Sequence, residues 1–134
     1  MARKLYLNLP VKDLPASVAF FTKLGFQFNQ QFTDESATCM IVSEAASVML
    51  LTEARFRGFT KKQLASTATH SQAIFALSAE SRADVDDFAD KALAAGGTPA
   101  MAPTDLGFMY LRSFYDLDGH HWEIFYMDEA AMPQ

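Results

Sequence analysis

Cysteine is nearly absent: Cys39 is the single thiol in 134 residues, so the chain holds no internal disulfide and no cysteine-rich metal knuckle. Set within Thr38-Cys39-Met40-Ile41, it reads as a small buried hydrophobe. Basic residues are scarce too, with 11 Lys and Arg against 16 Asp and Glu, a formal charge of −5 and a pI near 5.0. A chain of this sign gains little from displacing counterions off a phosphate backbone, and no basic stripe carries interleaved aromatics, so nucleic acid is excluded as an expected partner. Long apolar runs are missing. Polar Asn8, Lys12 and Asp13 follow Met1-Ala2-Arg3-Lys4 too soon for a signal peptide or a membrane span, and the expectation is a cytoplasmic protein with no membrane partner. Apolar residues are plentiful by contrast, at 50% against 20% charged, with 12 Phe and 7 Met, which is enough to build one domain over residues 1–134.

That apolar content is arranged as a repeat. Leu5, Leu7 and Leu9 alternate with polar neighbours as a strand, Asp13 caps a helix running to about Leu24, and Gly25 stops it. Leu5, Leu7 and Leu9 are expected to face that helix, whose stripe is Leu14, Val18 and Phe21. A shift of 68 residues carries Asp13 to Ser81, Phe20 to Phe88 and Lys23 to Lys91, and Ala73, Phe75 and Leu77 precede the second cap as a strand. Strands are expected at about 26–31, 37–43 and 47–52 in the first copy, and 98–102, 107–115 and 120–126 in the second. The fold expected is therefore α+β: two tandem βαβββ modules forming a curved mixed sheet around a shared cavity. Module one covers 1–52, a connecting segment 53–70, module two 71–127 and a C-terminal tail 128–134. The connecting segment carries Arg55, Arg57, Lys61 and Lys62. It reads either as a solvated link or as a lid whose charge attracts an anionic ligand.

The string Leu9-Pro-Val-Lys-Asp-Leu-Pro-Ala-Ser-Val-Ala-Phe-Phe-Thr-Lys-Leu-Gly-Phe and the closing Asp116-Leu-Asp-Gly-His-His-Trp-Glu resemble the opening helix and closing strand of the vicinal oxygen chelate superfamily. This is the family of glyoxalase I, extradiol dioxygenases and the bleomycin and fosfomycin resistance proteins. Most members have proline where Leu117 stands. In its metal-dependent members four side chains face the cavity, one from the first and one from the last strand of each module. The resemblance places the first at Tyr6, seven residues before Asp13, its repeat mate at Ile74, the closing-strand glutamate at Glu123, and the remaining position at Leu50. One ligand of four is retained, whereas a Lewis-acidic divalent ion needs three or four protein donors. The expectation is no metal and no other cofactor.

Alternation along the closing strand puts His121, Glu123 and Phe125 on one face and His120, Trp122 and Ile124 on the other, the core side. A two-residue tip at Leu117-Asp118 would set Arg112 opposite Glu123, either as a neutralising ion pair or as an anion holder beside a base. The candidate ligand-binding set is Tyr6, Asn8, Leu50, Ile74, Arg112 and Phe125, with Ala76, Tyr110 and Phe32 as further lining. Largely apolar with few polar fixtures, it suits a small amphipathic organic molecule. Two functions stay open: a glyoxalase-related small-molecule binder of the bleomycin-resistance type, and a lyase-like, isomerase or dioxygenase-type enzyme using Glu123, Tyr6 and His121 on a small carbonyl compound. Relatives of this kind commonly pair, and a homodimer is expected.

Overall fold

A computed structural model describes residues 2–131, so the last three residues of the expected tail, 132–134, lie outside the described residues. The elements in order are β1 (Leu5–Val11), α1 (Leu14–Lys23), β2 (Gln27–Asn29), β3 (Ala37–Ile41), β4 (Ala46–Thr52), α2 (Glu53–Arg57), β5 (Ile74–Ser78), α3 (Arg82–Ala94), β6 (Thr98–Pro99), β7 (Thr104–Asp105), β8 (Met109–Tyr115) and β9 (His121–Met127). The chain divides into two units between Leu64 and Ala65, within the segment read as a connection. The first holds a four-stranded sheet ordered β1-β4-β3-β2, and the second a five-stranded sheet ordered β5-β9-β8-β6 with β7 also on β8. In each, the first strand runs parallel to the last and the other pairings are antiparallel. The α+β class and the βαβββ plan are as the repeat predicts.

Both helices start and stop by the same devices. The Asp13 carboxylate accepts the Ala16 N–H at 3.0 Å, and the Ser81 hydroxyl accepts the Asp84 N–H at 3.0 Å. At the other ends Gly25 (φ +101°) and Gly96 (φ +116°) supply left-handed stops. The Phe26 N–H then reaches back to the Phe21 carbonyl at 3.1 Å, and the Gly97 N–H to that of Ala92 at 2.9 Å. The Phe21 and Phe26 rings meet edge-to-face at 6.0 Å across the first of these caps. Helix α1 buries Leu14, Ser17, Phe20 and Phe21, a stripe rotated slightly from the one expected, with Val18 half-buried. Leu9 is buried, but Leu5, expected to pack against this helix, is 57% exposed. In the second unit Val85 and Ala89 of α3 pack on Ile124, joined by Leu77, Phe88, Tyr110 and Tyr126.

The hairpin joining β8 and β9 departs from the expected register. Tyr115 pairs with His121, Ser113 with Glu123 and Arg112 with Ile124, so Arg112 does not face Glu123. The physical reason is a longer tip. The Asp116 N–H donates to the His120 carbonyl at 3.0 Å, the Gly119 N–H donates to the Asp116 carbonyl at 3.1 Å, and Gly119 takes φ +82°, the pattern of a type I turn closed by a glycine bulge. The Asp116 carboxylate holds this turn from inside, accepting from the Asp118 and His120 N–H groups and, at 2.9 Å, from the Trp122 indole. Burial nonetheless raises its pKa above the ordinary value, against the pull of His120 and these donors. One residue of slip turns Arg112 to the other side of the sheet. There its guanidinium donates to Asp90 at 2.8 Å and Asp86 at 3.2 Å, both on α3, while the Tyr110 hydroxyl donates to Asp86 at 2.7 Å. Tyr110 thus lies on the helix face, away from the sheet surface it was expected to line.

Two sets of variants check these points. Gly25→Ala carries the left-handed cost alone, since a Cβ there meets nothing within 4 Å, and should lose about 1 kcal/mol. Gly119→Ala adds a clash with Thr67 Oγ1 at 2.8 Å and should lose about 2–3 kcal/mol in urea unfolding. Arg112→Met breaks ion pairs whose aspartate side chains are 49% and 68% exposed, so the same measurement should show a loss of about 1 kcal/mol or less. A loss of several kcal/mol would mean that the pairs with Asp86 and Asp90 are shielded from solvent far more than the exposure of the aspartates indicates.

Candidate functional site

In each unit the helix covers one sheet face, and the side chains of the other face are those left to meet a ligand. In the first unit β1 and β4 pair Leu9 with Leu50 and Leu7 with Val48 on the α1 side, and Tyr6 with Ser47 and Asn8 with Met49 on the opposite side. Leu50, expected to line a cavity, is completely buried in the core. The unbroken apolar run Val48-Met49-Leu50-Leu51 hides its own alternation, and pairing with β1 is what reveals it. The repeat shift carries Asn8 to Ala76; Asn8 pairs with Met49 as Ala76 pairs with Glu123, so the first-unit counterpart of Glu123 is Met49.

The open face of this unit is bounded by the basic segment. The Thr52 hydroxyl accepts the Arg55 N–H at 3.2 Å and starts α2, Gly58 ends it, and the Phe59 N–H donates to the Phe56 carbonyl at 2.9 Å. Packed against β1 and β4, α2 sets Phe56, Phe59 and Thr60 around Tyr6, Leu7 and Asn8, lining an open hollow of ≈ 470 Å³. Tyr6 is 53% and Phe59 67% exposed. The Arg55 guanidinium lies over the Phe59 ring at 5.5 Å and donates to Ser36 Oγ at 3.1 Å, which holds the ring in place. Tyr6 and Asn8 are thus brought together, with two phenylalanines that the sequence reading did not nominate. Their signal was there in Phe56 and Phe59, three apart inside a segment otherwise notable for charge.

In the second unit Glu123 stands between Ala76 and Ser113, with His121 and Phe125 on the same face along β9 and Ile74 beside His121. His121, Glu123 and Phe125 are half-buried, whereas Ile74 is 53% exposed. The Ser113 hydroxyl is engaged by the Met101 N–H at 2.9 Å. The His121 ring meets the Tyr115 ring edge-on at 5.4 Å, and its Nε2 is a buried nitrogen with no hydrogen-bond partner among the described residues. A buried ring nitrogen without a partner is uncommon and singles His121 out on this face. Arg112 does not join this group. A second hollow of ≈ 490 Å³ opens at the hairpin end of the unit, where Thr67, Thr69, Ser71, Thr98 and Tyr115 contribute hydroxyls. Among the described residues no three His, Cys, Asp or Glu side chains are grouped as a metal ion requires, and no helix is long and apolar enough to cross a membrane.

Comparison with known proteins bears on the fold and the family. A hypothetical protein from S. aureus is 26% identical with a TM-score of 0.80, covering 94% of each chain. A glyoxalase-related enzyme from Fulvimarina pelagi is 17% identical with a TM-score of 0.80, over 94% of this chain and 88% of that one. A lactoylglutathione lyase from Agrobacterium tumefaciens is 15% identical with a TM-score of 0.68, over 98% of both. At these identities the last two speak for the fold alone. No curated protein matches the sequence. The Glyoxalase/Bleomycin resistance protein/Dioxygenase superfamily matches residues 4–124, nearly the whole chain, and the chain belongs to it.

Proposed function

We propose that this protein binds a small amphipathic organic molecule without a metal ion, in the hollow beside Tyr6 and Asn8. The observation that carries the reading is the donor set. At the positions where the family's metal-dependent members hold an ion stand Tyr6, Met49, Ile74 and Glu123: a neutral phenol, a thioether, an alkyl group and one carboxylate. That chemistry does not fit a hard or borderline divalent ion, which needs three or more oxygen, nitrogen or thiolate donors. Tyr6, Phe56 and Phe59 offer ring faces to a flat apolar body, and the Asn8 amide and Thr60 hydroxyl are polar groups able to orient it.

One observation favours a catalytic alternative. His121 Nε2 is buried without a partner two residues from Glu123, an arrangement in which a carboxylate and an imidazole could share proton transfer on a bound carbonyl compound. The same experiment addresses both. Purified protein titrated with zinc, nickel and manganese is expected to take up less than one equivalent tightly, and to form no lactoylglutathione from the methylglyoxal hemithioacetal. Stoichiometric metal that is lost in Glu123→Gln would overturn the metal-free reading. Turnover abolished by Glu123→Gln or His121→Gln without metal would replace binding by catalysis.

A further inference from the structure

Four of the 11 basic residues are gathered in one stretch. From Ala54 to Ala79 there is no aspartate or glutamate, and this stretch holds Arg55, Arg57, Lys61 and Lys62 in a protein whose net charge is −5. Elsewhere the cations of the second unit are spoken for: Arg82 by Asp105 at 2.8 Å, Lys91 by Asp87 at 2.9 Å, Arg112 by Asp86 and Asp90. Around the basic stretch Arg57 has Glu53 at 3.7 Å in an exposed pair, and Arg55 lies near enough to Asp34 to help the Ser36 hydrogen bonds hold that carboxyl below its ordinary pKa. No salt bridge engages Lys61 or Lys62 among the described residues.

These lysines line a second hollow of the first unit, ≈ 380 Å³, with Arg57, Thr60, Gln63 and Leu64. Thr60 also lines the aromatic hollow, so the two adjoin at its side chain. The Thr60 hydroxyl accepts the Lys62 N–H at 3.2 Å, which orders the start of the lysine turn and leaves the hydroxyl proton available at the junction. One end of this groove is thus walled by Tyr6, Phe56 and Phe59 and the other by cationic groups.

We infer that the ligand of the aromatic hollow is an organic anion: a flat apolar body lies against Tyr6, Phe56 and Phe59, and its carboxylate, sulfonate or phosphate end is held by Lys61 and Lys62 past the Thr60 hydroxyl. The inference rests on the binding reading above and adds the charge of the ligand to it. Open hollows favour the charged end staying partly wet, so the lysines contribute a screened attraction.

The test compares an isosteric pair, 2-naphthoate and neutral 2-naphthamide, by calorimetry or NMR titration of the full chain at pH 7. Naphthoate is expected to bind on the order of five- to tenfold more tightly in 20 mM salt, an advantage that shrinks at 300 mM. Lys61→Gln with Lys62→Gln should bring the two affinities together, while Phe59→Ala should weaken both probes alike. All three substituted side chains are on the surface, and unchanged circular dichroism and urea midpoints will verify that these variants fold. Equal affinity for the two probes in the unaltered protein, or an anion preference that survives the double lysine variant, overturns the charge assignment and leaves the binding reading standing. Binding of neither probe overturns both.

Discussion

Each unit is organised by the parallel pairing of its first strand with its last. Parallel neighbours cannot be joined by a tight turn, so a helix and two strands fill the crossover, and residues some 40 positions apart become lateral partners, as Asn8 and Met49 do. Because strand side chains alternate, this one pairing decides for every residue whether it meets the helix or the opposite face. Trp122, Ile124 and Phe114 go to α3 and are almost wholly buried, while Glu123, His121 and Phe125 remain on the half-buried side. The site chemistry is therefore inherited from register before any individual side chain is considered.

What could be read from the sequence follows from the same point. The helix caps at Asp13 and Ser81, the glycine stops and the succession of strands and helix along each module were legible because each rests on local chemistry repeated twice along the chain. The separation of His121, Glu123 and Phe125 from Trp122 and Ile124 was legible too, since a strand of mixed polarity shows its own alternation. The two errors at the site are both displacements by one residue. Leu50 stood in for Met49 in a run of four apolar residues that carries no period, and Arg112 was set against Glu123 by giving the Asp116–His120 turn a two-residue tip. Turn length depends on where Asp116 sends its carboxylate, and its tertiary partner Trp122 Nε1 is not visible in a dipeptide pattern.

Charge follows a parallel logic of placement. On α3, Asp86 and Asp90 are matched by Arg112 and Asp87 by Lys91, while Arg82 clamps Asp105 of β7 and holds that carboxyl down at about 2. Its hydrogen bonds are the chief cause, reinforced by the Gly107 N–H. Such compensated groups tie helix to sheet. The aromatic residues tell a similar story of division: Phe20, Phe21, Phe114 and Trp122 fill cores, whereas Tyr6 and Phe59 stay in solvent beside uncompensated lysines.

The strands β6 and β7 are in effect one edge strand interrupted. Thr98 and Pro99 pair with Tyr115 and Phe114, Thr104 and Asp105 with Leu111 and Tyr110, so the four residues 100–103 stand against the two residues Arg112 and Ser113. Ser113 Oγ accepts the Met101 N–H across this gap, and Pro99 and Pro103 carry no N–H at all. A border so broken cannot template a further strand. On the first sheet β2 is only three residues long and gives way at once to a 3₁₀ turn, which blunts that border as well. Lateral addition of another polypeptide is therefore disfavoured at these two borders, and the strands that end the sheets on the other side are β1 and β5, so continuation of a backbone ladder from either sheet falls to those two strands.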